Sequence, residues 1–110
     1  MIQSLVLEIV KAFFAGLFLF NSLPHLIKGV IGQSHMTPFK RVSSPYLNLA
    51  WAFLNIGISL VLVETDQQAE CSKFLSGWSL LSFFVGGIFI SFANAQLFSN
   101  PNAKLPWHKY

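Results

Sequence analysis

Three long apolar runs separated by short polar breaks dominate the chain, and none of the runs has a two-residue period. The first extends from Leu5 to about Ile31 and is interrupted by Glu8, Lys11, His25 and Lys28. The second, Tyr46 to Val63, and the third, Phe74 to Phe98, contain no charged residue. A helix that crosses a bilayer needs about 20 predominantly apolar residues, and each run supplies roughly that length. Membrane β-strands instead alternate apolar and polar residues over segments of about ten, whereas Trp51–Leu54 and Leu80–Ile90 are apolar on successive positions. The pattern predicts an all-α integral membrane bundle of three transmembrane helices in a single domain, residues 1–110. Helix one is expected at about 4–31, helix two at about 45–63 and helix three at about 73–98.

Local signals place the ends. Ser43-Ser44-Pro45 predicts the start of helix two, because a hydroxyl satisfies a free amide at the cap and proline fits the first turn. Ser72 is the corresponding cap expected for helix three. Pro101 and Pro106 stop that helix soon after Phe98. Pro24 lies inside the first run and leaves the Phe20 carbonyl without its helical donor, so a kink is expected there.

Composition supports the same class. Of 110 residues, 54% are hydrophobic and only 10% are charged, against about 25% charged in soluble domains. Mean hydropathy is +0.58. Such a chain is too apolar for disorder and too small to hide this much apolar surface in a water-soluble globule. Charge is unevenly placed. Lys28, Lys40 and Arg41 lie between the first two runs and Lys104 and Lys109 follow the third, with no acid in either segment. The other connection holds Glu64, Asp66, Glu70 and Lys73. The Lys/Arg bias predicts a cytoplasmic first connection and C-terminus and an external N-terminus. The pI near 9.3 then follows from topology, and no nucleic-acid partner is expected. The first run has no Lys or Arg before Glu8 and no small-x-small cleavage site, so it reads as a retained span.

Candidate chemistry is sparse. Cys71 stands alone and cannot form an intrachain disulfide. Zinc-ligand spacing, a Gly-rich phosphate loop and a nucleophile–base constellation are all missing from the sequence, so no catalytic residue, cofactor or metal site is expected. Polar residues inside the runs remain. Asn21 and His25 are four apart and share a helix face; Asn48 and Asn55 are seven apart on helix two; Asn94 is near the end of helix three. Alternating topology brings these five to one depth, in the cytoplasmic leaflet, as a ligand or helix-contact cluster. Hydrogen bonding between helices is one role for them. A small-ligand site with His25 as its titratable group is the other. One histidine near the membrane core falls short of the paired axial ligands many haem sites use. Ser82-x-x-x-Gly86 and Gly87-x-x-x-Ser91 are small-residue pairs that allow close helix approach, against helices one and two or against another subunit.

The series Asn21-x-x-Pro24-His25-x-x-x-Gly29-x-x-Gly32, then Thr37-Pro38-Phe39, then Ser43-Ser44-Pro45-x-x-Asn48-x-x-Trp51 resembles a family of small bacterial inner-membrane proteins with no assigned activity. The resemblance covers about residues 16–60 and implies a multi-pass bacterial inner-membrane protein. A looser likeness in size and hydropathy to DoxX-like proteins departs in span number. The function expected is that of a small non-enzymatic integral membrane protein, acting as a homo-oligomer or as an accessory subunit of a membrane complex. The alternative is a binding or transport component for a small amphiphilic molecule at the polar cluster. Expected partners are the lipid bilayer and a second copy or another membrane protein.

Overall fold

The computed structural model describes residues 2–64, 77–101 and 105–108. Among these residues three helices form: α1 (Ile2–Val30), α2 (Pro45–Glu64) and α3 (Gly77–Phe98). Each is long and apolar enough to cross a membrane. No strand forms among the described residues, where the only β pairing is an isolated antiparallel bridge between His35 and Ser43. The expected start of helix three near residue 73, its Ser72 cap and Cys71 lie outside the described residues.

The chain folds this way for local reasons that can be named. Ser44 caps α2 by accepting the Leu47 amide on its hydroxyl oxygen at 3.1 Å, with Pro45 as the first helical residue. At the end of α1, Gln33 N–H donates to the Lys28 carbonyl at 2.8 Å and Gly32 N–H to the Gly29 carbonyl at 3.1 Å. These two bonds make a Schellman cap, which needs a left-handed residue at its centre; Gly32 supplies it with φ of 74°. Lys28 Nζ also donates to Gln33 Oε1 at 3.0 Å, tying the same two residues through their side chains. α1 remains helical through Pro24.

α1 lies between the other two helices, and α2 and α3 make little contact with each other. Contacts run in opposite chain directions between α1 and α2: Ser59 Oγ donates to the Ala15 carbonyl at 2.8 Å, while Asn21 meets Asn55. They run in the same direction between α1 and α3, from Ser82 Oγ on the Ile9 carbonyl at 2.8 Å to Asn94 on Asn21. The helices therefore go up, down and up, and the end of α1, the start of α2 and the end of α3 share one side.

Small residues set the α1–α3 distance. A Cβ on Gly16 would fall on the Phe83 carbonyl, and one on Gly86 would fall on the Phe13 carbonyl. Gly87 is closed by the Phe20 ring. Ser82, Gly86 and Gly87 thus face α1 in the same chain, so this stripe is not available to a second subunit, one of the two roles its spacing allowed. Ser91 is exposed and takes no part in the contact.

Burial is inverted relative to a water-soluble protein. Fully enclosed apolar residues are small, Ala12, Ala15 and Ala52, while Asn48, Asn55, Ser22, Ser43 and Thr37 are among the largest side chains almost wholly shielded. Phe53, Leu60, Phe84, Ile88 and Phe92 point outward. That arrangement is stable when the surroundings are hydrocarbon, because lipid accepts the apolar faces and cannot satisfy polar ones. Gly86→Ala is expected to lower unfolding stability in detergent by about 1–3 kcal/mol through overpacking. Gly57, with no neighbour within 4 Å, is the control, and Gly57→Ala should be neutral or stabilising by up to about 1 kcal/mol. Equal effects would contradict the close α1–α3 approach.

Candidate functional site

Two polar assemblies occupy the shared end of the bundle. The first is a ladder of carboxamides across all three helices. Asn94 Nδ2 donates to Asn21 Oδ1 at 2.9 Å, Asn21 Nδ2 donates to Asn55 Oδ1 at 3.1 Å, and Asn55 Nδ2 donates to the Trp51 carbonyl at 2.7 Å. Each rung ends on an acceptor that a neighbouring helix or turn provides, so the amides satisfy one another where lipid could not.

The second assembly lies one turn along α1. His25 Nδ1 is 2.8 Å from Asn48 Oδ1, and both residues are almost fully buried, with 2% and 0% exposure. Asn48 Nδ2 is 3.0 Å from the His35 carbonyl, 3.2 Å from that of Ser43 and 3.0 Å from that of Ser44. Three surrounding carbonyls fix which end of the amide is nitrogen. Its oxygen therefore faces the imidazole and accepts from Nδ1–H.

Above this pair the 31–44 connection folds back on itself. His35 and Ser43 exchange backbone bonds of 3.1 Å in both directions. Ser43 Oγ donates to the Lys40 carbonyl at 3.0 Å, so Thr37 Oγ1 is the donor in its 2.7 Å bond to Ser43 Oγ. The tail then packs onto the connection. His108 Nε2 donates to the Thr37 carbonyl at 2.7 Å while its Nδ1 accepts the Leu105 amide at 3.1 Å. Trp107 Nε1 donates to the Pro38 carbonyl, and Arg41 donates to that of Pro101.

Beneath this cover is a cavity of about 90 Å³. Its walls come from Asn21 and His25 of α1, Trp51 of α2, and Asn94, Leu97 and Phe98 of α3; Thr37 and Leu105 are among the residues that roof it. None of the described residues that line it is an acid, lysine or arginine. Glu8, the acid of α1, is seventeen residues from His25, about 25 Å along the helix. The described residues hold no group of three His, Cys, Asp or Glu able to bind a metal.

All five cluster residues expected from sequence come to this end. Asn21, Asn55 and Asn94 join in the ladder, His25 and Asn48 pair separately, and of the five only Asn21, His25 and Asn94 line the cavity. Sequence reasoning set the cluster beneath the His35–Arg41 loop but missed the tail residues that complete the cover, Leu105, Trp107 and His108. The only available signal was the apolar Leu105-Pro106-Trp107 after a polar stretch. It also missed the second histidine, because His35 lies outside the runs. The His35 ring centroid is 5.3 Å from that of His25 and 4.3 Å from that of Phe98. Burial above all, reinforced by the nearby Lys28 ammonium, holds the His35 imidazole down at about 4. Its Nε2 and the Trp51 Nε1 are enclosed with no hydrogen-bond partner. No family model, curated protein or solved structure matches the chain.

Two outcomes test this geometry. Asn21→Ala and Asn94→Ala should each cost about 1 kcal/mol of stability, with a coupling of about 0.6–1.7 kcal/mol in the double-mutant cycle; strict additivity would contradict the ladder. Unfolded His35 titrates near 6.5 and folded His35 near 4, so between those values the unfolded chain binds the extra proton. Stability should therefore fall as pH drops from about 6.5 toward 4 and level off below that. In His35→Phe this part of the pH dependence should disappear.

Proposed function

We propose that this is a non-enzymatic membrane protein of the bacterial inner membrane, with its N-terminus outside and C-terminus cytoplasmic, which binds the polar end of a small amphiphile in the cavity at its cytoplasmic side. The carrying observation is the cavity itself, lined by residues of all three helices, among them the half-buried amides of Asn21 and Asn94 and the buried imidazole of His25. Helices that needed polar residues only to hold together would be served by the Asn94–Asn21–Asn55 ladder. The His25–Asn48 pair, the folded connection and the tail build a second, covered space beside it. A non-enzymatic role is favoured because His25 is the one titratable side chain among the described cavity-lining residues, which leaves it without an acid–base partner there. The orientation is supported by the excess of Lys and Arg at the covered end, and the bacterial origin by the family resemblance at residues 16–60.

Native mass spectrometry from mild detergent should show a small bound molecule on the wild-type protein. Leu97→Trp, which fills the cavity from α3, should lose it while keeping its ligand-free melting temperature. Identical spectra for the two proteins would remove the cavity from the functional account. A C-terminal green fluorescent protein fusion should be fluorescent and a C-terminal alkaline phosphatase fusion inactive; the reverse would invert the orientation.

A further inference from the structure

The hydrogen-bonding polarity of the cavity can be read from Asn48, although Asn48 is not among its lining residues. Turning the amide over would set its oxygen against the carbonyls of His35, Ser43 and Ser44 and lose all three bonds. Carbonyl oxygens accept and never donate, so the amide has one allowed orientation. Asn48 therefore offers His25 an acceptor and only an acceptor. A neutral imidazole meeting that acceptor carries its proton on Nδ1, and the other ring nitrogen then bears a lone pair. His25 Nε2 makes no hydrogen bond among the described residues, and the ring borders the cavity. Asn94 adds to this bias, since its Nδ2 is engaged by Asn21 and its Oδ1 accepts no bond among the described residues.

We propose that the cavity selects an uncharged head group that donates a hydrogen bond, a hydroxyl above all, because His25 is locked as an acceptor. This rests on the cavity being a binding site. A hydroxyl gives its proton to Nε2 and satisfies the ring's lone pair. A ketone can only accept, and it leaves the buried Nε2 without a partner. A carboxylate or phosphate sets negative charge against lone pairs with no lysine or arginine among the described lining residues. An ammonium buries positive charge with no carboxylate there to balance it.

Four probes sharing an eight-carbon chain separate these classes: 1-octanol, 2-octanone, octanoate and octylammonium, each titrated into detergent-solubilised protein against the empty micelle. Saturable binding of 1-octanol, about tenfold tighter than 2-octanone, is expected, with neither ion binding saturably. Equal or tighter binding of the ketone or of either ion would overturn the selectivity while leaving the cavity a binding site. Absence of saturable binding by any probe would overturn both. The locked tautomer has its own readout. In ¹⁵N-histidine spectra, with His25 assigned by means of His35→Phe and His108→Phe, the proton should reside on Nδ1. A proton on Nε2 would overturn the inference without reference to any ligand.

Discussion

The carboxamide of Asn48 is the interaction on which the covered end of the bundle depends. Its nitrogen gathers the carbonyls of His35, Ser43 and Ser44, and its oxygen takes the proton of His25. One side chain thus ties α1 to α2, draws the 31–44 connection back toward the helix it precedes, and orients the imidazole of His25 in the cavity wall. The constraint behind it is the solvent. A buried amide near a bilayer has no water to turn to, so its partners must come from the chain itself. One of those partners, the His35 carbonyl, is brought to Asn48 by the fold-back that the His35–Ser43 bridge closes, which couples the fold of a surface connection to the register of two membrane helices.

Much of the architecture was legible before any coordinates. The three spans followed from run length and the scarcity of charge, because apolar helices are the cheapest way to cross hydrocarbon with every backbone group bonded. The Ser44 cap was legible because its chemistry is local, complete within four residues. The depth at which Asn21, His25, Asn48, Asn55 and Asn94 meet was legible from alternating topology alone. Their partition was not. Whether Asn21 bonds to Asn55 or to Asn48 depends on the rotation of α1 about its axis, which is set by glycine contacts with Phe13 and Phe83 backbone and leaves no periodic signal. The tail was illegible for a different reason: Trp107 and His108 act through carbonyls of Pro38 and Thr37, and any residue has a carbonyl.

The same contrast explains the small-residue stripe of α3. Ser82, Gly86 and Gly87 announce a close contact, and sequence spacing gives its position along the helix but says nothing of the partner. The structure spends the stripe within one chain, where Gly16 of α1 supplies the reciprocal notch against Phe83. What remains outward on α3 is Phe84, Ile88 and Phe92, bulky side chains suited to acyl chains.

The central place of α1 has a consequence for biogenesis. α2 and α3 meet α1 and make little contact with each other, so the helical hairpin of α1 and α2 can close as soon as both have left the translocon. In that intermediate Asn21 already donates to Asn55, but its own Oδ1 still lacks the Asn94 donor, and Gly16 lies open to lipid. α1 therefore waits in the bilayer with a dangling acceptor and a bare groove along one side. α3, which follows both helices in the chain, carries the donor and the matching glycines, spaced so that both engage in a single parallel register. The acceptor of Asn21 and the notch of Gly16 together give that helix one seat on α1.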